Sequence, residues 1–289
     1  MNIIILSFAV LAVLAILSAV TLFFVAKKFH VEEDPRIDTV NELLPGANCG
    51  GCGVPGCRAF AEKIVKQGNL EGLNCPPGGA DCMKSIASAL GIETVEEDPM
   101  IAVIRCSGSK VNSPQKVSYE GLQNCQFASN LYAGMSGCPN GCLSLGDCVR
   151  SCLFDAIYID EETGLPIVLE DKCVACGVCV PACPRGIIEL RLKGKKDRRI
   201  FVSCVNKEKG ALAKKNCSVA CIGCSKCQKI CTFEAITMQN NLAYIDPVKC
   251  KLCRKCTPEC PTNAIHELNF PARKTDSKIV TEDNKEMSS

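Results

Sequence analysis

Between Cys138 and Cys260 the chain repeats one cysteine-bearing unit twice. Each copy contains closely spaced cysteines, an Ala-Ile pair, a Cys-x2-Cys-x2-Cys run and a closing Cys-Pro. Cysteines three residues apart crowd on one short loop, where several thiolates can converge on one metal centre but separate disulfides do not suit the spacing. The repeat therefore predicts a duplicated supersecondary unit built around metal-bound thiolates.

Composition narrows the choice of metal. Cysteine accounts for 25 of the 289 residues, a level at which disulfide scaffolds, zinc proteins and iron–sulfur proteins are the common explanations. The total is odd, which disfavours complete disulfide pairing, and both histidines, His30 and His266, lie outside the cysteine runs. Runs of three cysteines completed by a distant Cys-Pro are the ligand pattern of two-cluster ferredoxins. We therefore expect iron–sulfur clusters, with an all-cysteine zinc scaffold and disulfides as alternatives.

The fold class expected is α+β. Each repeat predicts a short strand, a turn (residues 161–164 and 239–241), a second strand, the cysteine loop, a brief helix and a final strand. A strand at residues 100–106 opens the first copy. The sequence thus predicts two tandem ferredoxin-like modules, residues 99–193 and 194–270, each holding two [4Fe–4S] clusters.

The ligands follow from the crossing rule of ferredoxins, in which three cysteines of a run bind one cluster and the fourth binds the other. Three of the four runs have strict spacing; the fourth, at Cys138, is stretched and could hold a cluster of altered type. The cysteines Cys152 and Cys231 lack the usual following proline, and a degenerate module with free thiols remains an alternative. The predicted sets are Cys138, Cys142, Cys148 and Cys183; Cys152, Cys173, Cys176 and Cys179; Cys221, Cys224, Cys227 and Cys260; and Cys231, Cys250, Cys253 and Cys256.

A different cysteine pattern precedes the repeat. Residues 29–98 predict a small helical domain, with helices at residues 59–66 and 85–90. Residues 51–56 also fit the dinucleotide fingerprint G-x-G-x-x-G, but LLPGANCG precedes them where the fingerprint needs a hydrophobic strand, and they contain a cysteine and a proline, so we favour glycines that approach a cluster over nucleotide binding. This domain is expected to close a fifth cluster by itself through Cys49, Cys52, Cys57 and Cys75.

The chain begins with an apolar segment. Residues 3–26 carry no charge and are long enough to cross a hydrocarbon core, so residues 1–28 are predicted to be one transmembrane helix, with a cleaved signal peptide as the alternative. Lys27 and Lys28 follow, and the positive-inside rule places the cluster-bearing region in the cytoplasm. At the other end, residues 271–289 are polar and predict a disordered tail.

Two features remain open at this level. The run at residues 191–199 carries six basic residues and one acidic residue; it could steer an acidic ferredoxin, touch anionic lipid, or be a solvated loop. The net charge of +2 gives no reason to expect a nucleic-acid partner. Five cysteines lie outside the predicted sets: Cys82, Cys106, Cys125, Cys204 and Cys217. We expect them to be buried thiols that pack as small apolar side chains. The alternative is that they are additional cluster ligands, which would give a sixth cluster.

The residues also resemble a known family. The segments LLPGANCGGCGVPGC, CPNGCLSLGDCVRSCLFDAI and AKKNCSVACIGCSKC, together with the N-terminal anchor, are similar to the B subunit of the Rnf complex. That complex is a membrane-bound ferredoxin:NAD oxidoreductase coupled to ion translocation. The resemblance implies an electron-transfer subunit at the inner (cytoplasmic) membrane that accepts electrons from soluble ferredoxin and passes them to other subunits, without a substrate site of its own. The iron–sulfur subunit of another anaerobic membrane oxidoreductase is the alternative.

Overall fold

The structure, a computed structural model, describes residues 2–28, 34–94, 98–131 and 134–273. Its first element is helix α1 (Asn2–Lys28). Across the residues described, no helix combines the length and the apolarity expected of a membrane-crossing segment, so the predicted transmembrane anchor is not confirmed by the fold. The predicted disordered tail falls outside the described residues from residue 274 onward.

Three short helices form the N-terminal cysteine-bearing domain: α2 (Pro35–Leu43), α3 (Cys57–Gln67) and α4 (Gly79–Leu90). Both predicted helices are confirmed and extend beyond their predicted bounds. Helices α3 and α4 each end at a glycine in the left-handed region, Gly68 and Gly91, whose N–H donates to a carbonyl of the last turn. The apolar faces of the three helices meet in one core that contains Val40, Phe60, Ile64, Ile86 and Cys75.

The first module contains four strands and three short helices. Strand β1 is antiparallel to β4, and β2 forms a hairpin with β3, so the final strand of the repeat pairs with the strand that opens the module. The predicted opening strand and the turn between β2 and β3 are confirmed. The elements are β1 (Met100–Ile104), α5 (Cys125–Leu131), α6 (Asp147–Arg150), β2 (Ile157–Ile159), β3 (Pro166–Val168), α7 (Cys179–Ala182) and β4 (Ile188–Leu192).

The second module repeats this plan. Strand β5 is antiparallel to β8, and β6 forms a hairpin with β7. The brief helix predicted in the second cysteine loop is replaced by turns at residues 256–259. The elements are a 3-10 helix (Lys195–Asp197), β5 (Arg199–Val202), α8 (Gly210–Asn216), α9 (Lys226–Ile230), β6 (Ile236–Gln239), β7 (Leu242–Ile245) and β8 (Ile265–Leu268).

A buried arginine joins the two modules. The side chain of Arg191, in β4, is only 3% exposed. Its Nη1 donates to the carbonyl of Ile200 at 3.0 Å and its Nη2 donates to the carbonyl of Ile245, both in the second module. Its guanidinium also lies 5.3 Å from the ring centre of Tyr244 and forms an ion pair with Glu189. The basic run at residues 191–199 is therefore not a solvated loop throughout, because its first residue, Arg191, is buried and bonds to the second module.

We expect Arg191→Met to destabilise the protein by about 2–4 kcal/mol, because two buried carbonyls lose their donor and a buried ion pair is broken. The measurement is the thermal unfolding midpoint of the anaerobically purified protein. Arg36→Met is the matched control: Arg36 is 62% exposed in its ion pair with Asp34, and we expect its loss to leave the midpoint unchanged. Equal midpoints for the two variants would contradict the role of Arg191.

Candidate metal centres

The structure gathers cysteine side chains into six sets, numbered here along the molecule. Set 1 is the predicted N-terminal group. The pKa of the Cys75 thiol is raised to about 11, mainly by burial. The N–H of Gly78 lowers this pKa, and the nearby charges of Cys82, Cys57 and Cys52 raise it. The predicted members are Cys49, Cys52, Cys57 and Cys75, of which Cys52 and Cys57 lie near enough to Cys75 for their charges to act on it.

Local hydrogen bonds shape set 1. The side-chain oxygen of Asn48 accepts a bond from the backbone N–H of Cys57 at 2.8 Å, which fixes the loop against the start of α3. The extra cysteine, Cys82, donates its thiol hydrogen to the carbonyl of Leu43 at 3.3 Å. Cys82 also shares a side-chain hydrogen bond with Cys75, so this fifth cysteine of the domain lies directly against the set.

The N-terminal loop touches the first module at a glycine. A β-carbon built on Gly51 would lie 2.8 Å from the carbonyl oxygen of Cys176, closer than such contacts occur. Burial raises the pKa of Cys176. The N–H of Val178 lowers this pKa, and the charge of Cys49 raises it. The glycine of the cysteine loop thus allows set 1 to approach the next set.

Set 2 is the predicted group of the first module that contains the strict run. Burial raises the pKa of Cys179 to about 12, and the charges of Cys173, Cys176, Cys148 and Cys152 raise it further. The backbone N–H of Ala156 donates to the Cys152 sulfur at 3.4 Å. The set contains Cys152, Cys173, Cys176 and Cys179.

Set 3 differs from its prediction by one member. A cavity of about 390 Å³ is lined by Cys142, Cys148 and Cys183, as expected, but its fourth cysteine is Cys125. Helix α5 begins at Cys125 and is tied to α6 by a hydrogen bond from the Gln126 backbone N–H to Asp147. The predicted fourth ligand, Cys138, does not line this cavity.

The stretched spacing of this run has a structural reason. Cys138 lines a different cavity, so Cys142 and Cys148 contribute to set 3 without it. The sequence signal was the irregular x3, x5 spacing, which indicated an unusual run but could not identify Cys125 as the replacement.

Set 4 was not predicted. A cavity of about 310 Å³ is lined by Cys138 together with three of the cysteines left over by the sequence patterns. Two of its members lie in the first module and two in the second. The set contains Cys106, Cys138, Cys204 and Cys217.

Sets 5 and 6 match the two predictions for the second module. Cavities of about 340 and 330 Å³ each bring together the three cysteines of one run and the crossing cysteine of the other. Cys224 and Cys253 are exposed, whereas Cys221, Cys227 and Cys256 are buried. Set 5 contains Cys221, Cys224, Cys227 and Cys260, and set 6 contains Cys231, Cys250, Cys253 and Cys256.

The donor groups fit iron–sulfur clusters. All members are thiols, many in apolar surroundings, and several receive a backbone N–H from the residue two positions later, as Cys142 does from Ser144 at 3.4 Å. Burial raises the pKa of Cys256 to about 12, so this thiol needs a metal charge to become a thiolate at neutral pH. Within the described part of the chain, no three His, Cys, Asp or Glu side chains are close enough to hold a single metal ion.

Two ferredoxin-like modules, repeated cysteine-lined cavities and crossing ligands define the class: an iron–sulfur protein with several clusters. Family models agree. One for an Fe-S cluster matches residues 44–77, and one for a 4Fe-4S dicluster domain matches residues 137–187 and 220–264.

Curated relatives identify the family. The chain is 41% identical, over 92% of its length and 78% of the relative, to the B subunit of the Na(+)-translocating ferredoxin:NAD(+) oxidoreductase complex of Acetobacterium woodii. It is 40% identical, over 90% of its length and 96% of the relative, to the B subunit of the ion-translocating oxidoreductase complex of Methanosarcina acetivorans. It is 38% identical, over 93% of its length and 94% of the relative, to the proton-translocating counterpart of Clostridium ljungdahlii. The chain belongs to the family of B subunits of Rnf-type ion-translocating oxidoreductases, which confirms the resemblance noted from the sequence.

We expect Gly51→Ala to separate set 1 from set 2, because the added carbon meets the Cys176 backbone. The expected result is weaker magnetic coupling between two reduced clusters in EPR spectra, with the iron content unchanged. Gly53→Ala is the comparison variant: a β-carbon there meets nothing within 4 Å, but the φ of 80° strains an alanine, so this variant reports backbone strain in the loop without a contact to Cys176. Identical spectra for wild type and Gly51→Ala would show that this contact does not set the spacing.

Proposed function

We propose that this chain carries electrons singly from a reduced ferredoxin, through thiolate-bound iron–sulfur clusters, to other subunits of a membrane complex that reduces NAD and moves ions. The observation that carries the proposal is the arrangement of the cysteine sets in a series. When bound, [4Fe–4S] clusters supply one-electron chemistry, and the protein sets their potentials through burial and hydrogen bonds to sulfur. The names of the relatives support the nature of the complex.

The proposed cluster ligands are the cysteines of five of the six sets. Sets 1, 2, 5 and 6 keep the ligands expected from the sequence, and set 3 takes Cys125 in place of Cys138. The corresponding domains are residues 29–98 for set 1, 99–193 for sets 2 and 3, and 194–270 for sets 5 and 6.

Electrostatic contacts between thiols support the series within each module. Burial is the main cause of the raised pKa of Cys179, and Cys148 of set 3 contributes to it from the neighbouring set. In the same way burial raises the pKa of Cys256, and Cys227 of set 5 contributes. Charges that interact inside a protein lie close together, which is the condition for electron hopping between neighbouring clusters.

The entry point for electrons lies at set 6. A surface groove is lined by Lys193, Lys195 and Arg198 and also by Cys250 of that set. Cys253 of the same set is exposed. A positively charged surface beside an accessible cluster would attract an acidic ferredoxin and raise its rate of encounter.

We expect the double variant Lys195→Glu/Lys196→Glu to slow cluster reduction by ferredoxin about tenfold at low ionic strength, because both side chains are exposed on this surface. The measurement is stopped-flow absorbance with chemically reduced ferredoxin, and the difference should shrink at high salt. Lys214→Glu/Lys215→Glu changes the net charge equally at exposed positions of α8 and serves as the control. Equal slowing by both variants would rule out a docking role for this surface.

We further propose that α1 anchors the protein as a single span, with the cluster-bearing region on the cytoplasmic side. Its apolar side chains are exposed, including Phe8 at 71% and Leu22 at 68%. Its polar side chains are satisfied within the helix, since Ser18 donates to the Leu14 carbonyl at 2.8 Å and Thr21 donates to an earlier carbonyl in the same way.

The anchor is tested by membrane fractionation. We expect the full chain to stay with the membrane pellet through an alkaline carbonate wash, and residues 29–289 to be released from it, because the truncation removes the exposed apolar side chains of α1. Leu14→Lys/Leu17→Lys should weaken retention by placing charges within the apolar segment. Release of the full chain by carbonate would contradict a span and favour peripheral attachment.

A further inference from the structure

The groove beside set 6 carries an excess of positive charge, and we call it the basic groove. Among its lining side chains one, Asp98, is acidic, and Ile200, Pro247 and Leu252 form an apolar wall. A concave surface with this charge attracts anions. The cationic side chains that line it are those of Arg191, Lys193, Lys195, Arg198 and Arg199.

Two buried arginines of the basic groove differ in how their nitrogens are used. Arg191 and Arg199 are each 3% exposed. Every guanidinium nitrogen of Arg191 donates to a protein oxygen. In Arg199, by contrast, only Nη2 has a partner, the carboxylate of Glu170, whereas Nε and Nη1 are buried without an acceptor among the described residues. Because buried donors in proteins are nearly always hydrogen-bonded, Arg199 is built to meet an acceptor that the chain does not supply.

The charges of the two consecutive arginines are only partly offset. Glu170, the partner of Arg199, is 35% exposed and also accepts a hydrogen bond from Asn269 at 2.9 Å. The guanidinium of Arg198 lies 5.4 Å from the ring centre of Phe270, and its Nε is buried without an acceptor in the same described region. Arg198 therefore adds positive charge and an unused donor beside those of Arg199.

The loop before β5 holds its cations at the basic groove. A β-carbon built on Gly194 would lie 2.6 Å from the carbonyl oxygen of Arg198, so only glycine allows the two ends of the loop to approach this closely. The backbone N–H of Arg198 also donates to the carbonyl of Lys195 at 3.4 Å. Within the part of the chain that the structure describes, the ammonium groups of Lys193 and Lys195 have no hydrogen bond or ion pair. Both can therefore turn toward a ligand.

The charge balance of the basic groove matches one phosphate group. Of the five cations, Arg191 and Arg199 are paired with Glu189 and Glu170, and Asp98 balances a third, which leaves an excess of two positive charges. A phosphate group carries a charge of about −1.5 to −2 at pH 7 and has several acceptor oxygens. Guanidinium groups present their donors in a planar fork that fits such oxygens.

We propose that the basic groove is a binding site for a phosphate group, either free phosphate or the phosphate of a nucleotide, with Arg198, Arg199 and Lys193 as its donors. The site goes beyond the proposed function, because its ligand is a small anion and not a redox protein. Cys250 of set 6 lines the same groove. A bound phosphate would neutralise the surface that attracts ferredoxin, so its occupancy would control electron entry.

The test is isothermal titration calorimetry of inorganic phosphate into the full chain, purified anaerobically, with sodium chloride holding the ionic strength constant. We expect saturable binding to one site. The double variant Lys193→Gln/Arg198→Gln should weaken binding about tenfold, because it removes two charged donors. Arg199→Lys should also weaken it about tenfold, because lysine keeps the positive charge but loses the planar fork.

The matched control is Lys214→Gln/Lys215→Gln, which removes two positive charges at exposed positions of α8 outside the groove. It should bind phosphate as the wild type does. Absence of saturable binding in the wild type would overturn the proposal, and so would equal weakening by the control and by the groove double variant. The groove double variant decides the question even where the buried Arg199→Lys fails to fold.

A second titration, with ADP, distinguishes the sources of the phosphate. Affinity for ADP about tenfold higher than for phosphate would assign the site to a nucleotide, and equal affinities would assign it to free phosphate. Stopped-flow reduction by ferredoxin then separates this site from the proposed function. We expect phosphate to slow reduction more than sodium chloride does at the same ionic strength. Saturable phosphate binding that leaves reduction unchanged would retain the anion site and refute ferredoxin docking at this groove.

Discussion

Burial of thiols inside small apolar cores is the constraint on which this structure depends. The four described sheets contain only two strands each, and isolated two-stranded ribbons are marginally stable in water. Cysteines fill the space between them: Cys148 and Cys179 belong to the core of the first module alongside Ile157 and Ile188. The same holds for the core of the second module, which contains six buried cysteines, five of its own and Cys138 from the first module. Metal bound to these cysteines would therefore contribute to folding as well as to electron transfer, because the thiols are part of the cores.

Much of this architecture could be predicted from the sequence because its signals are local. Strict Cys-x2-Cys-x2-Cys spacing and the Cys-Pro at the end of each copy are each recognised within a few residues, and the ferredoxin crossing rule then pairs the distant runs. The helices of the N-terminal domain were likewise marked by periodicity and by terminal glycines such as Gly91. These elements have the predicted order, and sets 5 and 6 have the predicted members.

The exchange of Cys125 for Cys138 could not be predicted because it depends on how a long loop folds back. Residues between β1 and α6 cross to the second module, where Ser113 and Asn112 bond to the segment around Cys217. In the sequence, Cys106 and Cys125 precede the first repeat as Cys204 and Cys217 precede the second. The structure breaks that symmetry, since one of these four cysteines lines set 3 and the other three share set 4. Tertiary contacts at large sequence separation, absent from any spacing rule, decided the partners.

The exposure of Cys224 and Cys253 determines where oxygen first attacks the protein. Oxidants reach accessible thiolate ligands before buried ones. Sets 5 and 6 each have one exposed cysteine, whereas Cys138, Cys204 and Cys217 of set 4 are buried. Dioxygen would therefore reach clusters bound at sets 5 and 6 before it reached the cysteines at the junction of the modules, and damage in air would begin in the second module.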